Sequence, residues 1–229
     1  MVGRIAYYGN IVKDGLVFLL DAAKKDSYPG SGTLWSDITE NNFDGTLING
    51  PIFNTSNGGN ILFDGVNDFV NFTTTPQIEG TQLSFSVWNY GLVAKQSTLI
   101  FLSSSGIRCL NIHLPWSDST VYFDSGNTLF YDRISKFAQP NEYQGWHYWV
   151  FTKNSTTQIM SIYLDGNLWH SQGGKPQPIA LPIGNKNLCC ENGTTHFHNG
   201  YLGYLSLYNR ELSPTEILQN YNATKNRYL

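Results

Sequence analysis

Residues 145–169 read GWHYWVFTKNSTTQIMSIYLDGNLW, and the fold follows from this stretch. Residues 146–152 are dense in aromatic and β-branched side chains, the types that fit a pleated, half-buried surface. Residues 154–157 are a polar turn cluster. Alternation then sets in, with Met160, Ile162 and Leu164 on one face and Ile159, Ser161 and Tyr163 on the other. Asp165-Gly166 or Gly166-Asn167 supplies the positive φ of a two-residue hairpin loop, and Leu168 and Trp169 begin the return strand. The pattern predicts an antiparallel meander at the centre of a sheet that the rest of the chain extends and covers.

The same period recurs on both sides. Residues 15–21 (GLVFLLD) read as a buried strand. Residues 24–46 form a polar connection too long for a simple loop, so residues 33–38 are expected to pack back through Trp35. In residues 60–72 (NILFDGVNDFVNF), Ile61 and Phe63 alternate, Asp64-Gly65 turns and residues 69–72 alternate again, which predicts a second hairpin. In residues 82–90 Leu83, Phe85 and Val87 face the core, with Ser84, Ser86 and Trp88 opposite. Residues 98–103, 107–113 and 120–123 continue as strands, 129–133 is a shorter candidate, 176–182 an irregular edge and 197–208 the last strand region. Ser213, Pro214 and Glu216 spell a helix start with a capping box, followed by Ile217, Leu218 and Tyr221 on one face. The whole predicts an all-β chain: one antiparallel β-sandwich of two sheets closed by one short C-terminal α-helix.

Composition agrees. Aromatics at 14% and 22 glycines suit strands joined by tight turns and exclude a disordered chain. A net charge of -3 without a run of Lys or Arg gives no electrostatic footprint for nucleic acid or an anionic membrane surface. The longest apolar run, residues 16–20, falls short of the ~20 residues that span a bilayer. Residues 1–10 lack the apolar core of a signal peptide, so the sequons at Asn54, Asn71, Asn154, Asn192 and Asn222 read as by-products of an Asn-rich chain. Cys109 and the adjacent Cys189 and Cys190 have neither disulfide-framework nor zinc-site spacing and read as free, buried thiols.

Several longer blocks carry a resemblance. GLVFLLDAAKKDSYPGSGTLWSDITENNFDGTLINGP, ILFDGVNDFVNF, GWHYWVFTKN with SIYLDGNL, and NGYLGYLSLYNRELSPTEILQNYNATKNR together resemble the laminin-G-like, concanavalin A-like jelly-roll domains, in the form found in tailed-bacteriophage virion proteins. The block YNRELSPTEILQNYNATK is the most specific piece, and the match runs from Gly15 to Arg227. The resemblance implies a jelly-roll domain over residues 15–229, preceded by an N-terminal arm of residues 1–14 whose Tyr7 and Tyr8 are candidate assembly contacts. It implies adhesion, glycan binding or structural decoration rather than catalysis.

Retaining glycoside hydrolases need two carboxylates about 5–5.5 Å apart, and on this fold they lie close together along one strand. Glu40, Glu79, Glu142, Glu191, Glu211 and Glu216 have no such spacing, and no GxSxG nucleophile motif occurs. His196-Phe197-His198 puts two imidazoles on one face if it is a strand, and a plain strand edge is the simpler reading. Calcium is the cation the chain fits best, with Asp64, Asn67 and Asp68 as ligands; the same residues also read as turn formers. Sugar rings stack on exposed aromatics, which nominates Tyr90, Trp116, Tyr131 and Trp169 near strand ends or loops, although a sandwich aromatic also serves as core.

The expectation is therefore a non-enzymatic virion structural protein of a tailed phage, made in the host cytoplasm and carried on the particle surface. It would act as capsid decoration or as a tail- or fibre-associated subunit, present as a homo-oligomer or in many copies among other virion proteins. The alternative is a carbohydrate-binding, lectin-like module contacting host cell-surface glycan; a glycan-processing enzyme ranks last.

Overall fold

The computed structural model describes residues 10–229. Sixteen strands are formed among them, in order β1 Leu16–Asp21, β2 Leu34–Trp35, β3 Gly45–Ile48, β4 Ile52–Asn54, β5 Asn60–Asp64, β6 Phe69–Phe72, β7 Gln82–Gly91, β8 Ile100–Ser104, β9 Ile107–His113, β10 Thr120–Gly126 and β11 Tyr131–Phe137. After a one-turn helix α1 (Pro140–Tyr143) come β12 Gly145–Asn154, β13 Ile159–Leu164, β14 Asn167–Gln172, β15 Lys186–Leu188 and β16 Asn199–Tyr208, then α2 Pro214–Thr224. They make two antiparallel sheets. The first runs β14-β13-β12-β7-β16-β5-β4, with β1 also pairing β16; the second runs β11-β10-β9-β8-β15-β6-β3-β2.

The meander predicted from residues 145–169 is present as β12, β13 and β14. Asn154 Oδ1 accepts from the Thr156 and Thr157 amides in its first turn, and Asp165 (φ 50°) and Gly166 (φ 82°) make the second. Its place differs from the expectation. The meander is one flank of the first sheet, and β7 and β16 are the middle strands. A local pattern fixes which strands pair through short turns, but β7 reaches β12 only by a long-range pairing, in which Phe85 lies opposite Phe151.

Residues 60–72 do not form a hairpin. β5 pairs β4 and β16 in the first sheet, whereas β6 pairs β3 and β15 in the second. Both strands do put one face inward, with Ile61, Phe63, Val70 and Phe72 in the shared core, so alternation alone is the same for a hairpin and for a crossover between sheets. Residues 127–130 are a turn held by Asn127 Oδ1 and the strand starts at Tyr131, which leaves Leu129 and Phe130 exposed. Residues 196–198 belong to no strand: His196 has a left-handed φ of 57°, and the two imidazoles have different partners.

The core has two layers. Between the sheets lie Phe18, Trp35, Phe63, Phe85, Val87, Phe123 and Phe151 with their neighbours. Trp35 is fully buried, as its predicted return to the sandwich requires. The second layer covers the outer face of the first sheet, where α2 lies over Trp88, Tyr148, Val150, Tyr204 and Tyr208. Ser213 caps α2, and Glu216 completes the capping box. The buried helix positions are Ile217, Asn220 and Thr224; Leu218, expected inward, is exposed. Asn220 takes that place because polar partners wait there: it accepts from the Val12 amide and donates to Tyr208 Oη, while Thr224 Oγ1 accepts from Trp88 Nε1. Ile11 and Val12 are buried in this layer, so the described end of the N-terminal segment packs on the chain's own body. Tyr7 and Tyr8 lie outside the described residues. The three cysteines are free and buried. No helix among the described residues is long and apolar enough to cross a membrane.

Candidate functional site

Among the described residues no helix covers the outer face of the second sheet, and its strands β9, β10 and β11 carry an unusual set of side chains there. Asp124 on β10 stands opposite Asn111 on β9 and Arg133 on β11. Its side chain is fully buried. Arg133 donates to it through Nε (2.6 Å) and Nη2 (2.8 Å), Arg108 through Nη1 (2.5 Å) and Asn111 through Nδ2 (3.1 Å). A buried carboxylate is tolerable only with such partners. In return it fixes two guanidinium groups in place, one of them in a bidentate fork.

Along β9, His113 is nearly buried. Its Nδ1 donates to the Ser97 carbonyl (2.8 Å), so its Nε2 accepts from Asn111 Nδ2 (3.1 Å). Burial drives this imidazole down to about 4, against a smaller upward pull from the Ser97 hydrogen bond and from Asp124. Trp116 sits in the turn between β9 and β10, closed by hydrogen bonds with Thr120 and Ser119. Its ring meets His113 edge-on at 4.5 Å and His196 at 4.9 Å. His196 comes from the loop after β15, where Cys189, Asn192 and His196 all adopt positive φ. That loop also brings in Glu191, whose Oε2 meets His196 Nδ1 at 2.6 Å and whose Oε1 lies 3.7 Å from Arg108.

These groups line a cleft of about 340 Å³, with Trp116 and Tyr122 as walls and Arg108, Arg133, Glu191 and His196 as polar edges. Tyr131, 41% exposed, continues the aromatic surface, with the Arg108 and Arg133 guanidinium groups over its ring at 5.3 and 5.8 Å. Arg133 also covers Tyr122 at 4.9 Å, and Tyr122 Oη is held by Asp118. Two guanidinium groups and two carboxylates leave the cleft near neutral. Hydrogen-bonding groups are therefore presented without a field that favours polyanions. Both oxygens of Asp124 are committed to donors, so it is a structural anion.

Of the four aromatics nominated from the sequence, Trp116 lines this cleft and Tyr131 lies next to it, under the Arg108 and Arg133 guanidinium groups. Trp169 is elsewhere: its ring abuts Trp149 at 5.1 Å, Lys136 covers it and its Nε1 donates to Glu142. Tyr90 is on the outer face of the first sheet beside Trp146 and Tyr201. Arg108, His113, Tyr122, Asp124, Arg133 and Glu191 were not nominated. A signal existed in the strand pattern, since Tyr122-x-Asp124 sits on the polar face of a strand whose Val121 and Phe123 are core. What was missing was the register that places Arg133 and Asn111 beside it.

Asp64, Asn67 and Asp68 do share one connection. Asp64 Oδ1 accepts from the Val66 and Asn67 amides, and the nearly buried Asp68 accepts from the Asp64 amide. These oxygens of Asp64 and Asp68 face the turn's own N–H groups. Among the described residues no group of three His, Cys, Asp or Glu side chains is placed to hold a metal ion.

Comparisons agree with this architecture. The family model of the concanavalin A-like lectin/glucanases superfamily (Laminin_G_3) matches residues 64–218. No curated protein matches the chain. Among solved structures, the binding domain of Paraclostridial Mosquitocidal Protein 1 is 14% identical with a TM-score of 0.71, covering 92% of this chain and 52% of that one. The binding domain of botulinum neurotoxin DC, in complex with SialylT, is 15% identical with a TM-score of 0.66 and the same coverage. Domain 4 of AbnA, an extracellular arabinanase from Geobacillus stearothermophilus, in complex with arabinotriose, is 14% identical with a TM-score of 0.70, covering 91% of this chain and 98% of that domain. This chain spans about half the length of the toxin domains. At these identities the likeness is one of fold.

Proposed function

Because the chain belongs to the concanavalin A-like lectin/glucanases superfamily, we propose that it is a carbohydrate-binding domain that holds glycan in the second-sheet cleft without transforming it. The observation that carries this is the convergence of Trp116 and Tyr122 with fixed charged hydrogen-bonding groups around one open cleft, with the exposed Tyr131 beside it under Arg108 and Arg133. Sugar presents a flat C–H face and a ring of hydroxyls. Trp116 offers the stacking surface for the first, with Tyr122 beside it; Arg108, Arg133, Glu191 and His196 offer donors and acceptors for the second. Prior fixing by Asp124 means little side-chain freedom is lost on binding. Asn111 Oδ1 is buried and unpartnered beside the cleft, which leaves one acceptor for a hydroxyl or a bridging water. The absence of a free carboxylate pair at this cleft supports binding over hydrolysis: Asp124 is locked, and Glu191 is engaged by His196.

The test is a glycan array followed by calorimetric titration of the hits, with arabinotriose and a sialylated oligosaccharide in the first panel. Trp116→Ala should weaken binding about ten-fold or more, the loss expected when one stacking anchor is removed, with the fold kept by circular dichroism. Unchanged affinity in that variant would sink the assignment of the cleft.

The setting we propose is the outside of a tailed-phage particle, where the domain would face host glycan as a decoration or a tail- or fibre-associated subunit. The sequence resemblance carried by residues 208–225 supports this reading, and those residues form the end of β16 and the α2 cap. Peptide mass spectrometry of purified particles checks it; particles free of the chain would end it.

A further inference from the structure

The outer face of the first sheet is covered by α2 only in part. Beyond the helix, one register row runs across five strands: Trp146 on β12, Tyr90 on β7, Tyr201 on β16, Leu62 on β5 and Ile52 on β4. None of the five is buried, and Ile52 is 62% exposed. Tyr90 stands nearly perpendicular to both neighbours, 5.8 Å from Trp146 and 5.7 Å from Tyr201, so the rings form angled walls rather than a flat stack. Beside them, Asn54 and Asn60 face each other across β4 and β5, and Asn57 follows in the short turn between. The three asparagines, with Ser56, Leu92 and the rings of Tyr90, Trp146 and Tyr201, bound a pocket of about 270 Å³.

Three features of this pocket point to one ligand chemistry. First, no lining side chain is charged at neutral pH. Second, Asn60 is 1% exposed and its Oδ1 has no hydrogen-bond partner, while its Nδ2 is tied to the Ser56 carbonyl. A buried acceptor of this kind is satisfied by an incoming O–H or by water. Third, the platform is fixed in advance: Trp146 Nε1 donates to Asn57 Oδ1 at 3.1 Å, and its ring packs on Tyr228 at 4.7 Å. An apolar protein surface would cover the rings but leave Asn60 Oδ1 and the amide rim unpaired, which is costly. We infer that this pocket is a second carbohydrate site, selective for an uncharged sugar ring. The ring face lies against Tyr90, Tyr201 and Trp146, and its hydroxyls pair with Asn60 Oδ1 and the Asn54 amide. The site lies on the opposite face of the sandwich from the Trp116 cleft and does not depend on that cleft binding glycan. With both occupied, one domain cross-links two glycan chains.

The experiment follows the indole N–H cross-peak of Trp146 by NMR during titration with three neutral oligosaccharides, maltotriose, cellotriose and xylotriose. The titration is repeated with Trp116→Ala, so that the two sites are read separately. At least one sugar should shift the Trp146 peak in both proteins. Tyr201→Ala should then weaken that binding about ten-fold, whereas Tyr201→Phe, which keeps the ring, should bind within about two-fold of wild type. Asn54→Ala is the second variant, at a half-buried rim position whose Oδ1 holds the Ser56 amide; with the fold checked by circular dichroism, it should weaken binding about three-fold or more. A Trp146 peak unmoved by all three sugars overturns the inference. So does equal binding by Tyr201→Ala, or loss of the Trp146 response in Trp116→Ala, which would make the two sites one.

Discussion

His113 and His198 show at the scale of single residues how this sandwich handles polar groups. Both are almost completely buried, and burial drives both imidazoles down to about 4. His198 holds Asn89 Oδ1 through Nε2 at 2.9 Å, and His113 bridges Ser97 and Asn111. Each must stay neutral in the folded chain, whereas an unfolded imidazole takes up a proton near its ordinary value of 6.5. Their stabilising contribution is therefore complete above that value and is lost as pH falls from 6.5 towards 4. The loss is about 3 kcal/mol for each at the lower end. The melting temperature should drop steeply across this window, and proton NMR should show His113 and His198 still neutral at pH 5. Two normal titrations at those positions would contradict the burial. The sequence shows the imidazoles but not their environment, because His198 is buried by β7 and the loop after β15 rather than by its own neighbours.

At the scale of elements, α2 is the part most fully written in local sequence. Ser213, Pro214 and Glu216 start it as the capping-box pattern demands. Glu216 does more than cap, since Arg210 also grips it at 2.6 Å, and that hydrogen bond is the main reason its carboxyl falls to about 2. The ordinary value is 4.5, so the contribution is complete above 4.5 and disappears as pH falls to about 2. Exposure to solvent keeps it to about 1 kcal/mol. Glu216→Gln should therefore lower the melting temperature by a few degrees at pH 7 and by nothing near pH 2; a pH-independent deficit would show that shape rather than charge matters. What α2 covers was less legible. Leu218 looks like a core residue on a helical wheel, but the surface beneath offers the Val12 amide, Tyr208 Oη and Trp88 Nε1 to Asn220 and Thr224. A helix turns towards what its partner face needs, and that face is assembled from strands far apart in the chain, β7, β12 and β16 among them.

For the whole molecule, one contact tests how the layers hold together. Lys153 on β12 is fully buried and crosses the sandwich to Asp132 on β11 at 2.7 Å. It also donates to the Ser125 carbonyl, and burial pulls its ammonium below the ordinary value. Removing one partner leaves a buried charge, so Asp132→Asn should destabilise by about 3 kcal/mol in urea melts. Lys153→Met with Asp132→Asn should recover most of that loss, because a buried pair replaced as a unit is often neutral. A double variant as weak as the single would mean that the pair itself carries the stability. Residues of the candidate cleft follow the same logic of distance: Trp116 and Tyr131 were visible as aromatics near turns, whereas Trp169 and Tyr90 were equally visible and went elsewhere. The sequence by itself determined the strand-rich class, the 145–169 meander, the capped last helix and the family, because period-two alternation, turn residues and caps act over a few neighbours. Only the tertiary structure decided that β5 and β6 part into different sheets. It alone brought Arg108 and Arg133 to one buried aspartate and set Tyr90 beside Trp146 and Tyr201, since strand register joins residues that no local pattern relates.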